Sequence, residues 1–213
     1  MNIFAFFSAN ILNIFKSKIN NEIRVVKRTG GKIIYVDKIE QTGGTITGMW
    51  QKVFAQKAFQ EATPKKCLLL GLGGGDVIRI IRKIYTGIII TAVEIDPVMI
   101  KIAGIHFGLT NSYDLKIIRQ DAYQWIGKIP EKFDLIVIDL FIGKYNPEKF
   151  RRQEFLNLLS LHLKKNGMAV YNSHYDQQKP ADFQKFHLNC LAVFKKVEII
   201  VKYRYSRILL LYP

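Results

Sequence analysis

Ten residues, Cys67-Leu68-Leu69-Leu70-Gly71-Leu72-Gly73-Gly74-Gly75-Asp76, restrict the fold of this chain more than any other stretch. An apolar run of strand length stops in glycines and an acid, and a helix-like run over residues 77–85 follows. Glycines at a strand-to-helix turn let the main chain approach a ligand where the first helical N–H groups point outward. Nicotinamide, flavin and adenosyl cofactors all use such a turn, and a turn without a ligand has the same form. The glycines Gly71, Gly73, Gly74 and Gly75 therefore mark a candidate small-molecule site and leave its ligand open.

The next elements narrow it. A β-branched run over residues 88–93 ends in Glu94-Ile95-Asp96-Pro97, roughly twenty residues beyond the glycines, where an acid can accept both hydroxyls of a ribose. A third run, 115–118, is followed by Asp121-Ala122. A carboxylate there can accept from an adenine amino group while the alanine leaves room for the ring; the same Asp121 also reads as the N-cap of a helix carrying Tyr123 and Ile126. Asp139 closes the apolar run 135–138. Asp76, Glu94, Asp121 and Asp139 thus stand at the ends of successive strands, outside their carboxyl ends, where ligands bind in open α/β sheets.

Alternation of strand-like runs (68–70, 88–93, 115–118, 135–138, 168–170) with helical segments predicts a parallel sheet covered on both faces. Runs 197–201 and 207–211 are too close for a parallel crossover and must pair antiparallel. A mostly parallel Rossmann-like sheet finished by an antiparallel hairpin is the layout of S-adenosylmethionine-dependent transferases. Ahead of it, runs 23–26 and 32–36 flank Arg28-Thr29-Gly30-Gly31 as a hairpin, and a helix over 49–61 is ended by Pro64. The predicted division is residues 1–63, a small β appendage, and residues 64–213, the nucleoside-binding domain. Ile3, Phe7, Ile11 and Ile14, with Phe4 and Phe15, recur at helical spacing, so an amphipathic helix over 1–15 is expected, too short and polar to span a bilayer. Such a helix serves packing or dimerisation, or contact with a membrane surface.

With 213 residues, 49% of them hydrophobic, the chain suits one well-cored domain and its appendage. Cys67 and Cys190 read as buried small hydrophobes, and the four histidines lack ligand spacing, so no disulfide framework or metal site is expected and a reducing, cytoplasmic setting fits. A net charge of +15 favours anionic partners, but the cations are scattered over the whole chain, so nucleic-acid binding is not favoured.

Gly73-Gly74-Gly75-Asp76, Val93-Glu94-Ile95-Asp96 and Asp121-Ala122 together resemble the spermidine synthases, the polyamine aminopropyltransferases, and the resemblance runs from about Lys16 onward. It extends to Lys16-Ser17-Lys18, the hairpin and Val36-Asp37-Lys38-Ile39-Glu40-Gln41, which look like the family's N-terminal β domain. The resemblance implies an adenosyl sulfonium co-substrate, decarboxylated or intact S-adenosylmethionine, with no metal. By the same resemblance Glu94 holds the ribose, Asp121 the adenine and Gln41 the pocket wall, Asp76 holds the aminopropyl amine, and Asp139 binds or deprotonates the attacking amine; a homodimer and a small-molecule, polyamine-type substrate are implied too. The chain departs from the family after Asp139, where Leu140-Phe141-Ile142-Gly143-Lys144-Tyr145-Asn146-Pro147 lacks a second acid, and at Gly48-Met49-Trp50-Gln51-Lys52, which replaces a Tyr-His-Glu motif. With Lys52 and Lys144 near the acceptor, a dicationic diamine meets like charge. The loop is similar to that of spermidine-synthase-like proteins often called methyltransferases. A methyltransferase acting on a small molecule or RNA, and a non-catalytic nucleoside-binding homologue, are the alternatives to aminopropyl transfer.

Overall fold

The computed structural model describes residues 10–213. Two sheets are present among the described residues. The small one is antiparallel, in the order β1 (Ile11–Ser17), β2 (Asn21–Arg28), β3 (Gly31–Val36) and β4 (Ile39–Thr42). The β2–β3 hairpin turns at Thr29-Gly30, where the spacing places it.

The helix expected over 1–15 is not what its described part forms. Ile11, Ile14 and Phe15 lie in β1, with Ile14 opposite Arg24 and Phe15 opposite Ile23. The open edge of β2 offers this segment a full ladder of backbone hydrogen bonds, and β-branched and aromatic side chains suit it, which outweighs a short helical periodicity. Ile3, Phe4 and Phe7 lie outside the described residues.

The helix expected over 49–61 begins earlier and is interrupted. It forms α1 (Gly44–Phe54) and a single turn α2 (Lys57–Gln60), parted where Gln56 is extended at ψ 145°. Glu40 accounts for the early start, its Oε1 accepting from the Thr45 N–H at 2.6 Å and the Ile46 N–H at 3.2 Å.

The large sheet is built around β5 (Lys66–Leu70), with β6 (Ile89–Glu94), β7 (Leu115–Arg119), β8 (Phe133–Ile138), β9 (Leu163–His174), β10 (Lys196–Tyr203) and β11 (Ser206–Tyr212) in the order β10-β11-β9-β8-β5-β6-β7. Pairs from β9 to β7 are parallel; β11 pairs antiparallel with both β9 and β10. Cys67 and Leu69 enter one core layer, Leu68 and Leu70 the other, so the central strand is apolar throughout because helices cover both of its faces. Those helices are α3 (Asp76–Ile84), α4 (Pro97–Phe107), α5 (Ala122–Ile126), α6 (Gln153–Leu161) and α7 (Pro180–Val193). Among the described residues no helix is long and apolar enough to cross a membrane.

The chain leaves β5 for β6 and β7 on one side, then returns to β8 on the other. This reversal opens a crevice at the carboxyl ends of β5 and β8. The small sheet is fastened over it. Fully buried Asp96, the N-cap of α4, accepts from Ser17 Oγ at 2.5 Å and Asn20 Nδ2 at 2.7 Å, while Gly74 N–H donates to Thr42 Oγ1 at 2.8 Å.

Candidate active site

At the switch point two strand ends touch. Gly71 leaves β5 at φ +94°, and a Cβ there would run into the Asp139 carbonyl, so only glycine lets the turn pass this close to the end of β8. Gly71 N–H donates to Val93 O at 2.9 Å and Asp139 N–H to Leu70 O at 2.8 Å, extending the ladder to the tips of the strands.

One cavity runs from this point toward β7 and is lined by Gly71, Gly73, Glu94, Asp121, Ala122 and Asp139, with Gln41 above. Glu94 is buried, its Oε2 accepting from Leu72 N–H at 3.0 Å and its Oε1 from Asp96 N–H at 2.9 Å. Burial pushes this carboxyl up, against those two N–H groups, which pull it down. A carboxylate oxygen has capacity for a further donor beyond these. Asp121 serves two structural partners at once: Oδ1 accepts from Gln124 N–H at 3.1 Å as the N-cap of α5, and Oδ2 pairs with Lys149 Nζ at 2.6 Å.

A second cavity, about 360 Å³, opens on the other side of Asp139. It lies between the small sheet, the loop after β8, the end of β9 and the β10–β11 turn, with Tyr35, Gln41, Phe141, Asn172, His174 and Tyr205 among its walls. Gln41 and Asp139 border both cavities, and Gln41 Nε2 donates to Gly143 O at 2.7 Å, bridging the crevice.

Asp139, like Glu94, has a carboxyl raised above its ordinary range. Burial pushes it up to about 6; the Asn172 amide, donating at 2.8 Å, and the Trp50 indole pull it back, and the carboxylates of Asp76 and Glu94 push it further up. Trp50 Nε1 is buried without a well-formed hydrogen bond, so its pull on Asp139 is that of a loosely placed donor. A carboxyl titrating near neutrality at the junction of two cavities is suited to accept a proton there.

The structure gathers Gln41, Gly71, Gly73, Glu94, Asp121, Ala122 and Asp139 around the crevice. Gly74 and Gly75 turn away toward Thr42 and Leu109. Asp76 borders neither cavity: its carboxylate is drawn to Arg79 at 2.6 Å and to the Gly43 N–H at 2.8 Å, which leaves it tying the glycine turn to the small sheet. Lys52 is exposed and outside both cavities, whereas Lys144 lines the second. The Trp50 contact, Lys149 beside Asp121 and the Arg204 turn carry no sequence signal, because each depends on which elements become neighbours. Among the described residues no cluster of His, Cys, Asp and Glu could hold a metal ion.

Residues 48–205 match the spermine/spermidine synthase domain. A polyamine aminopropyltransferase of Vibrio vulnificus is 34% identical over 113 residues, which cover 52% of this chain and 38% of that enzyme. An eEF1A lysine and N-terminal methyltransferase of Mus musculus is 31% identical over 120 residues, covering 52% of this chain and 17% of that protein. The match therefore spans well under half the length of either relative. The spermidine synthase of Thermotoga maritima superposes with a TM-score of 0.77 at 18% identity over 95% of this chain and 72% of its own, a likeness of fold. Since the matched domain runs from within α1 to the β10–β11 turn, well over half of the chain, and takes in β5 to β8, whose carboxyl ends carry Gly71, Glu94, Asp121 and Asp139, the chain belongs to the spermine/spermidine synthase family.

Proposed function

We propose that the protein transfers an aminopropyl group from decarboxylated S-adenosylmethionine to a small amine. The observation that carries this reading is Asp139, a carboxyl raised to about 6 at the junction of the cleft lined by Glu94 and Asp121 and a separate second cavity. In this reading Glu94 holds the ribose hydroxyls, Asp121 the adenine amine, and Gln41 the wall between the two substrates. The amine lone pair attacks the carbon beside the sulfonium, the C–S pair returns to sulfur, and the amine proton passes to Asp139. Bringing the two reactants together supplies much of the acceleration, and the base a further share.

The choice of the decarboxylated form rests on charge. The nucleoside cleft is lined by Glu94, Asp121 and Asp139, and its lysine, Lys149, is already paired with Asp121. A sulfonium with an amino group suits those walls; a substrate carboxylate kept within that cleft would face acids, since Lys38, Lys144 and Arg204 line only the second cavity. Methyl transfer from intact S-adenosylmethionine is the second reading, favoured by the match to the lysine methyltransferase.

Thermal unfolding with decarboxylated S-adenosylmethionine, methylthioadenosine, S-adenosylmethionine and NAD tests this. At about a hundredfold excess over Kd a ligand stabilises by roughly 2.7 kcal/mol, which raises Tm by about 5–10 °C in a chain of this size. The first two are expected to give the largest shifts. A shift with NAD alone would overturn the reading.

A further inference from the structure

We propose that the acceptor is an amine that also carries an anionic group, its amine held by Asp139, Asn172 and His174 and its anion by Lys38, Lys144 and Arg204. This rests on the transfer reading above and names its second substrate by class.

The inner wall of the acceptor cavity holds unspent polar atoms. His174 is 8% exposed and its Nε2 has no hydrogen-bond partner. Asn172 donates its Nδ2 to Asp139 at 2.8 Å, but its Oδ1 is buried and unpartnered. Both residues line the cavity beside Asp139. Buried polar atoms left unpaired are costly and rare, so two of them flanking one carboxylate point to a polar group that completes them on binding. An amine fits: Asn172 Oδ1 accepts one N–H, Asp139 takes the proton that is lost, and His174 Nε2 adopts the role its tautomer allows.

The mouth of the same cavity is cationic. Lys38 comes from the β3–β4 turn, Lys144 from the loop after β8 and Arg204 from the β10–β11 turn, so three separate parts of the chain converge on it. Among the described residues no ion pair engages any of the three. Lys144 lies over the Tyr145 ring at 4.9 Å and Arg204 over the Tyr203 ring at 5.6 Å, contacts that orient a cation without neutralising it. The cavity's acids are Asp139 and Glu40, and Glu40 Oε1 is occupied by the Thr45 N–H and hydroxyl and the Ile46 N–H. A second ammonium would therefore meet three cations, opposed only by Glu40, whose Oε1 is already held by Thr45 and Ile46, and by Asp176 near Lys144, whereas a carboxylate or phosphate finds three partners.

The transfer balances without this anion. The neutral amine's lone pair forms the C–N bond, the C–S bond breaks onto sulfur to release a neutral thioether, and one amine proton goes to Asp139.

The test is calorimetric titration of three probes of similar backbone, putrescine, ornithine and 4-aminobutyrate, with and without saturating methylthioadenosine. Ornithine and 4-aminobutyrate are expected to bind at least tenfold more tightly than putrescine. In the variant carrying Lys144→Glu and Arg204→Glu the order should reverse; both positions are exposed, so the fold tolerates the change. Putrescine binding as tightly as the others, no binding by any probe, or an order unmoved by the reversal would overturn the proposal. Methylthioadenosine affinity, measured separately, belongs to the transfer reading: its absence would sink that reading, while its presence with the wrong probe order sinks only the acceptor class.

Discussion

Replacing Asp139 with asparagine is expected to lower kcat by about 10²–10⁴-fold, the usual worth of a positioned general base, and to leave methylthioadenosine affinity nearly unchanged. The substitution keeps shape and an acceptor oxygen for Asn172, so the loss falls on proton transfer. Stability should move the other way. The carboxyl rises from an ordinary 3.8 to about 6 in the folded protein, so between those pH values the native state binds more protons than the unfolded chain and stability falls as pH rises through the window. Above pH 6 the wild type carries an ionised, poorly solvated carboxylate, at a cost of about 3 kcal/mol at most. The Asn variant escapes that cost, so it should be the more stable protein at pH 8 and lose its advantage below about pH 4. In wild type, kcat/KM should rise with pH through about 6 as the base ionises, and the variant should lack this limb. Urea denaturation at the two pH values and a pH–rate profile check both halves. A variant that is less stable at pH 8 and has lost nucleoside affinity would mean that Asp139 is structural.

Glu94→Gln is expected to weaken methylthioadenosine binding by about 10²–10³-fold, because two hydrogen bonds from ribose hydroxyls to a charged acceptor are lost or weakened. The fold should suffer too. Both Glu94 oxygens accept main-chain N–H groups, from Leu72 and Asp96. A glutamine places an NH₂ against one of them, donor to donor, in a buried position, which costs about 1–3 kcal/mol. The link runs through the glycine turn: Leu72 sits between Gly71 and Gly73, so loosening its N–H loosens the floor of the cleft. Calorimetric binding and urea denaturation measure the two effects, and unaltered affinity for the nucleoside would remove Glu94 from the ribose site.

What the sequence makes legible follows periodicity and local chemistry. The buried run into Gly71, the acids at the ends of β6, β7 and β8, and the closing antiparallel hairpin each depend on a few adjacent residues, and the structure forms them where the pattern places them. Short apolar segments are ambiguous: Ile11, Ile14 and Phe15 fit a helix or a strand, and the free edge of β2 decides for the strand. Long-range neighbours are invisible to spacing. Asp76 has the position of a ligand-binding acid, but Arg79, one turn along the same helix, and Gly43, brought in when α3 and the small sheet meet, claim its carboxylate. Arg204 reads as one more scattered cation until β11 pairs with β9 and brings the hairpin turn to the acceptor cavity. Asn172 lies within β9, beyond the run 168–170 that the sequence marks as a strand, and its hydrogen bond to Asp139 is a product of the order β9-β8.

The most direct test of aminopropyl transfer is mass spectrometry of the nucleoside product after incubation with both forms of S-adenosylmethionine and the three amine probes. The expected result is methylthioadenosine, formed one for one with an acceptor whose mass has grown by an aminopropyl group, from the decarboxylated form and dependent on Asp139. S-adenosylhomocysteine with a methylated acceptor, and no methylthioadenosine, would contradict it and make this member of the family a methyltransferase.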